Sequence, residues 1–511
     1  MMTDTARPMA RGAYQVFVSN VAATFILAVS TIVLGRLLGP SGLGLYSLAL
    51  VIPAYAYVGM QLGIPTAATR FAARYAAAGD RERAASFVYG MLVFQLVVSV
   101  AFVLVLVPLS PVIASDVFHR PELGAAITLA LIALVGQSAF YSAVSGLQGL
   151  GAMGRFAKLQ VLQAGSRLVF QVGFLLAGLS VLGAVAGHTV GFVLSGGASF
   201  ALVAVMCRRI VPKDMLPNVK TALRYGMPIY LSSMVGGLIV PFQNTLLANY
   251  ASNAEIGGLS AAANITVIIS LLVFPIQTVL FPAFSSFDDR RKLLDFYRLT
   301  VKYAGLFVVP AVCLVIALAS PIAAAVYGRA YAFTGVFLVI LAVPSILVGI
   351  GSLSMGNLLN GVGETKKTSV AGVIGSAGSL VTLPALVAYF GVYGAAVGVA
   401  MGGLLSFAVA WRMVSSVLGG NVKLSDSWKV YLCSIVSAAA VYPLSFLRLH
   451  PLVITLLGGF AFLGILVPIL ALTGAVTRKD AEFLESRLNG LGLVHSLLGL
   501  LLRYFYLFCR G

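Results

Sequence analysis

An all-α polytopic membrane protein with about fourteen transmembrane helices is the fold this sequence predicts, on three observations. Only 9% of the 511 residues are charged and 60% are hydrophobic, whereas a soluble domain carries roughly 25% charge. Apolar windows of about 20 residues recur along the chain, each long enough to cross a hydrocarbon layer about 30 Å thick. The second half also repeats the first, in order. Long unbroken runs rich in Ala, Leu and Gly do not fit the alternating ten-residue strands of a membrane barrel.

Taken in order, the chain opens with MMTDTARPMARGAYQVF. This is a short polar arm followed by an apolar window longer than a signal-peptide core, without a small-residue cleavage pattern, so it reads as a retained helix. The windows fall near 13–37, 43–66, 84–108, 123–148, 156–177, 181–206, 226–250, 257–281, 303–325, 332–359, 368–389, 392–416, 429–447 and 452–474. Gly and Ala at helical spacing, as in GAVAGHTVG at 183–191, permit close backbone approach between spans. Prolines at 53, 65, 228, 241, 275, 282, 344 and 384 bend helices and shape the space between them. After the last window, TRKDAEFLESRLNG at 477–490 is charged and helical. The following LVHSLLGLLLRYFYLFCR is interrupted by Arg503 and reads as an interfacial helix rather than a fifteenth span.

LQGLGAMGR at 147–155 is rewritten as LNGVGETKK at 359–367, 212 residues later. At nearly the same offset QAGS (163–166) meets SAGS (376–379), VLGAVAG (181–187) meets VYGAAVG (392–398), FVSN (17–20) meets YLSS (230–233), and Gly191 meets Gly402. Each copy holds six windows, an even number, so the copies enter from the same side as parallel repeats around an axis along the membrane normal. The expected organisation is an N-lobe at 1–210, a C-lobe at 211–418, an extra helix pair at 419–476 and a cytoplasmic or interfacial tail at 477–511. Two equivalent bundles leave a cleft that rocking exposes to alternate sides, which favours a transporter.

The net charge of +18 is mostly topological. With the N-terminus inside, 28 of the 33 Lys and Arg fall on cytoplasmic segments, four lie outside (Arg36, Arg120, Arg329, Arg448) and Arg167 lies within a span. That asymmetry over short loops is the positive-inside signature; it places both termini in the cytoplasm and also meets anionic headgroups. No basic stretch is interleaved with stacking aromatics, which argues against nucleic acid. Cys207, Cys313, Cys433 and Cys509 are widely spaced, without CxxC or a nearby histidine, and read as apolar fillers rather than a disulfide or metal site. No cofactor is implied.

All fifteen Asp and Glu lie outside the apolar windows. Exporters of cations usually rely on intramembrane carboxylates, so the absence argues against a cationic cargo and suits an anionic one. Arg167 lies midway along the fifth window, where a charge costs about 2.5–3.5 kcal/mol; a hydrated cavity is the reading preferred over snorkelling or bonds to neighbouring polar groups. Arg70 and Arg74, in PTAATRFAARY, are spaced i and i+4 and share a helical face. Their guanidinium forks suit a diphosphate, with positive-inside anchoring as the alternative. Arg36, at the outer end of the first window, is a further candidate. Asn20, Gln243, Asn244, Asn264 and Gln277 are candidates for sugar hydroxyls, though interhelical bonds are the commoner use of such groups. His188 reads as packing before proton relay. The paired aspartates of FDDRRKLLDF at 287–296 read as a solvated connector, and no P-loop, HExxH or G-x-S-x-G marks an enzyme.

GRLLGPSGLGLYSLA at 35–49, GIPTAATRFAARYAAAGDRERA at 63–84 and LNGVGETKKTS at 359–369 together resemble the polysaccharide-flippase branch of the multidrug/oligosaccharidyl-lipid/polysaccharide (MOP) exporter superfamily. That branch includes O-antigen-type flippases, sporulation protein VB-like proteins and the peptidoglycan lipid II flippase. The resemblance covers essentially the whole chain. It implies a polyprenyl- or dolichyl-diphosphate-linked oligosaccharide turned from the cytoplasmic to the outer leaflet of the cell membrane, for surface polysaccharide or glycan synthesis. By position it implies a cationic lining of Arg70, Arg74 and Arg167, and a lipid-tail groove formed by the helices at 429–474. A monomer is expected, with glycosyltransferases of the same pathway as partners. The chain departs from the lipid II pattern in lacking an arginine in the apolar body of the first window and any charge within the eighth. The other readings are a drug or cation exporter of the same superfamily and an integral-membrane glycosyltransferase or polymerase.

Overall fold

A computed structural model describes residues 2–207, 215–287, 289–420, 427–478, 480–482, 499 and 503–508. Every regular element among them is helical. Helix α1 spans Met2–Ala49, α2 Val51–Met60, α3 Ile64–Ala77, α4 Arg81–Val112, α5 Gly124–Gly149, α6 Met153–Leu176 and α7 Ser180–Met206. They are followed by α8 (Met215–Gly237), α9 (Ile239–Tyr250), α10 (Asn253–Phe284), α11 (Arg290–Ala317), α12 (Ala319–Tyr327), α13 (Gly335–Ala342) and α14 (Ser352–Gly361). The last three are α15 (Thr365–Leu418), α16 (Ser427–Val441) and α17 (Pro451–Leu472).

Among the described residues, eleven helical stretches are long and apolar enough to cross a membrane. The two longest are far too long for one crossing. The 54-residue α15 would run about 80 Å at 1.5 Å per residue, and it is interrupted at Gly391, whose φ is 55°. The first stretch, Tyr14–Met60, contains a similar break at Gly39. Helix α10, of 32 residues, lies outside the eleven.

The twice-written phrase folds the same way both times. Leu150 N–H bonds the Gly146 carbonyl at 2.9 Å, Gly151 bonds Gln148 at 3.2 Å and Ala152 bonds Leu147 at 2.9 Å. Exactly the same three bonds recur 212 positions on, from Val362 to Leu358, Gly363 to Asn360 and Glu364 to Leu359, at 3.0, 3.2 and 2.8 Å. Gly151 and Gly363 take φ of +70° and +84°, the left-handed conformation that closes a helix C-terminus and that only glycine adopts without strain.

The chain divides into two compact units. Unit 1 comprises Met1–Ser260 with Ser379–Gly398, so α8 and α9 pack with the first seven helices. In this unit α1 meets the start of α10 so closely that a Cβ on Gly44 would strike the Asn253 carbonyl and Gly257, while a Cβ on Gly257 would strike the Pro40 carbonyl and Gly44. The Ser47 and Ser260 hydroxyls bond at 3.0 Å beside this crossing. Each of the pairs Pro40/Asn253, Gly44/Gly257 and Ser47/Ser260 is separated by 213 residues, and the contacts are reciprocal, as across a two-fold axis. Near the crossing Arg120 bonds Asn253 Oδ1 (2.6 Å) and the carbonyls of Phe118 (2.7 Å), Ala248 (2.5 Å) and Ala251 (3.2 Å). Burial lowers its pKa, opposed by the charge of Glu122, yet a guanidinium stays protonated and supports the C-terminal carbonyls of α9.

Unit 2 comprises Ala261–Gly378 and Val399–Gly511. Asp289 accepts from the Arg291 N–H at 2.9 Å and caps α11; Asp288, the other half of the aspartate pair, lies outside the described residues. The tail at 477–511 is described only in part. Asp480 receives Lys302 Nζ at 2.9 and 2.7 Å, the Tyr303 hydroxyl at 3.0 Å, and the Thr477 N–H and hydroxyl at 2.9 and 2.7 Å. Further on, the Tyr504 hydroxyl bonds the Gly464 carbonyl at 3.1 Å and Phe505 is buried among Cys313, Val430 and Leu466. Cys207, Cys313 and Cys433 are free and buried; Cys509 lies outside the described residues.

Burial alone would raise the Asp480 pKa, but the bonds from Lys302 and Thr477 outweigh it and hold the carboxyl below its ordinary value. A depressed carboxylate stabilises above its unfolded pKa, near 3.9, and that contribution is lost as pH falls through the folded value. Asp480→Asn is therefore expected to loosen the tail by about 1–3 kcal/mol at neutral pH. Hydrogen exchange at 477–482 measures this; unchanged protection would mean that the ion pair does not hold the tail.

Candidate functional site

Helix α6 carries a polar stripe. Gln160, Gln163, Arg167 and Gln171 follow one another at intervals of three, four and four residues, so all four share one face. The stripe turns toward α1 and α7. Two glycines of α7 make the approach possible: a Cβ on Gly191 would lie 2.8 Å from Arg167 Cα, and one on Gly187 would strike Gln171. The sequence pattern of small residues at helical spacing is thus what brings α7 against the polar face of α6.

Tyr46, near the end of α1, is the hub. Its oxygen accepts Arg167 Nη2 at 3.2 Å and Gln171 Nε2 at 2.9 Å, and it lies 3.4 Å from His188 Nδ1. Gln171 also bonds the Ala184 carbonyl at 3.2 Å and accepts the Ser30 hydroxyl at 2.8 Å. With two donors directed at its oxygen, the Tyr46 hydroxyl proton remains to be placed, and His188 Nδ1 is within reach of it. The His188 ring packs edge-on against Phe192, centroids 5.0 Å apart.

Ser30, Tyr46, Gln171 and His188 are all buried, whereas Arg167 is half-buried. Its Nε is buried and finds no hydrogen-bond acceptor among the described residues. The four ion pairs among those residues, Arg298–Asp295, Lys302–Asp480, Lys367–Glu364 and Arg478–Glu482, all lie elsewhere. Arg167 thus has no ion-pair partner among the described residues. In a low-dielectric interior such a charge attracts an anion strongly, because no fixed carboxylate screens it.

The other sequence candidates are scattered. Arg70 and Arg74 are exposed on one face of α3, and Arg70 stacks over the Tyr225 ring of α8 at 4.1 Å and over Phe71 at 6.0 Å. Arg36 is exposed on α1. Asn20 accepts Gln160 Nε2 at 3.1 Å, an interhelical bond between α1 and α6. Gln243 is buried on α9, with Asn244 half-buried beside it, and Asn264 is half-buried and Gln277 exposed on α10. Among the described residues of unit 1, no hydrogen bond joins Arg167 to Arg70, Arg74, Gln243 or Asn244. Tyr46 and Gln171 were missed as candidates. The Gln–Arg–Gln spacing on α6 signalled one of them; nothing local to Tyr46 reveals that its hydroxyl meets α6 and α7.

The family model for polysaccharide biosynthesis proteins matches residues 9–288, more than half of the chain. No curated protein sequence gives a significant match. Among solved structures the fold is similar to the lipid II flippase MurJ in an inward closed conformation, with a TM-score of 0.72 at 14% identity over 88% of this chain and 97% of that one. It is also similar to an inward-facing multidrug resistance MATE family transporter of the MOP superfamily, with a TM-score of 0.64 at 18% identity over 79% and 99% of the two chains. A Vibrio cholerae MATE transporter gives 0.56 at 18% identity over 81% and 99%. The chain belongs to the polysaccharide biosynthesis protein family, on a fold shared with MOP-superfamily transporters.

Proposed function

We propose that this chain is a flippase that moves a polyprenyl- or dolichyl-diphosphate-linked oligosaccharide from the cytoplasmic to the outer leaflet by alternating access. The carrying observation is Arg167, a cation within a predicted span with no carboxylate in contact among the described residues. An anionic headgroup supplies the charge that the protein withholds. Arg70 and Arg74, exposed together on α3, suit diphosphate capture at the inner surface. Family membership and the likeness to a lipid II flippase fold support a lipid-borne cargo. Fourteen spans in two parallel six-helix repeats, an extra pair that shields the lipid tail, and inner termini complete the proposal; the matched turns and the reciprocal Gly44–Gly257 contact support the repeats.

A drug or cation exporter is the second reading, favoured by the likeness to MATE folds. Apolar windows without a single carboxylate count against it. Reconstitution with lipid-linked oligosaccharide, read by leaflet-resolved accessibility, tests the first reading. Replacing Arg70 and Arg74 together with Ala is expected to slow transport about tenfold or more, the effect of losing charge-assisted bonds of about 1.5–3 kcal/mol. Wild-type protein that leaves the lipid in place but exports a cationic dye down a proton or sodium gradient would decide for the exporter.

A further inference from the structure

Helix α3, which follows the second predicted span, and helix α8, which leads into the seventh, touch backbone to backbone: a Cβ on Gly63 would strike Gly226, and one on Gly226 would strike Gly63. From that contact α3 runs toward one end of the bundle while α8 arrives from it. Helical side chains lean toward their own N-termini, so the Arg70 side chain leans up α3 and the Tyr225 ring leans down α8. The two meet with the guanidinium carbon 4.1 Å from the ring centroid. Phe71 holds the ring from the side, edge-on at 5.7 Å, and is itself packed against Phe87 at 5.3 Å. Phe71, Phe87 and Ala222 belong to one buried cluster. The ring that carries Arg70 is therefore fixed by both helices.

A guanidinium stacked on a ring uses its face, and its N–H bonds radiate from its edge. No acid pairs with Arg70 among the described residues. We infer that Tyr225 is a positioning residue for phosphate recognition: it holds the Arg70 plane so that the edge presents a ready fork to the diphosphate of the cargo. The inference rests on the lipid-diphosphate reading above. Its physical basis is pre-organisation, since a free arginine loses rotamer freedom on binding and a stacked one has lost much of it already.

The test uses the full chain in nanodiscs, with farnesyl diphosphate as the lipid probe and inorganic diphosphate as the headgroup alone. Tyr225→Phe keeps the ring and is expected to bind farnesyl diphosphate as the wild type does. Tyr225→Leu is expected to bind it about threefold to tenfold more weakly at an unchanged melting temperature. Arg70→Ala is expected to bind more weakly still, and adding Tyr225→Leu to it is expected to change nothing more, because both residues act on one contact. Tyr225→Leu at wild-type affinity, or an effect that persists fully without Arg70, overturns the positioning role and leaves the cargo reading standing. Arg70→Ala at wild-type affinity overturns the recognition role of both residues and leaves the cargo reading standing, whereas no binding by the wild type overturns both. Equal effects on inorganic diphosphate would assign the fork to the headgroup; effects on the lipid alone would make Tyr225 a lipid contact and reject positioning.

Discussion

Gly257→Leu is expected to slow transport by about fivefold to 150-fold. A Cβ at this position would overlap the Pro40 carbonyl, which is backbone and cannot rotate away, so α1 and α10 must separate at their crossing. Overpacking of this kind costs about 1–3 kcal/mol in a well-packed interior, enough to depopulate the conformation with the crossing closed by a factor of about 5 to 150. The alternating-access cycle proposed above would pass through that conformation in every turnover. Gly44→Leu should do the same from the other side, since its Cβ would overlap the Asn253 carbonyl. The complementary experiment joins the crossing. With Ser47 and Ser260 hydroxyls 3.0 Å apart, replacing both by cysteine should permit a disulfide that stops transport when oxidised and releases it when reduced. Full transport by the oxidised pair would show that α1 and α10 stay together throughout the cycle.

Arg167→Met is expected to change stability and transport in opposite directions. Removing a half-buried charge with no carboxylate in contact relieves a desolvation cost, and a gain on the order of 1–3 kcal/mol is typical when a buried ion gives way to an apolar side chain. Tyr46 keeps its bonds to Gln171 and His188, so the network survives the loss of one donor. Transport should nevertheless fall about tenfold or more, because the anionic cargo proposed above would lose its cation. Thermal unfolding and leaflet-resolved transport measured on the same preparation separate the two effects. A variant that transports normally would make Arg167 a packing residue; one that unfolds early would make its bond to Tyr46 the reason for its presence.

Much of the fold was legible because its determinants are local. The apolar windows lie on helices because about 20 apolar residues in lipid have no other way to satisfy their backbone. The two glycine turns were visible in the same way: a left-handed residue at a helix end needs glycine, and Gly151 and Gly363 stand 212 apart. Arg167 was legible as an oddity, a costly residue far from either end of its window. Its partner was not, because Tyr46 is 121 residues away and any of several tyrosines would have read equally well. Arg70 and Arg74 were legible as a pair sharing a face, yet the stack of Arg70 on Tyr225 depends on how α3 and α8 cross. Asn20 was legible as a candidate for sugar hydroxyls with an interhelical bond as the commoner use, and only the packing of α1 on α6 brings Gln160 to it.

By itself the sequence determined that this chain is helical, membrane-embedded, written with matching phrases in its two halves, and without acid in its apolar windows, since composition and period depend only on which residues follow one another. The tertiary structure alone decided which polar groups meet: that Arg167 leans on Tyr46, that Arg70 lies on Tyr225, and that Gly44 and Gly257 touch. Those facts follow from the angles and offsets at which helices pack, and packing is a property of pairs of faces brought together across the chain, which no single stretch encodes.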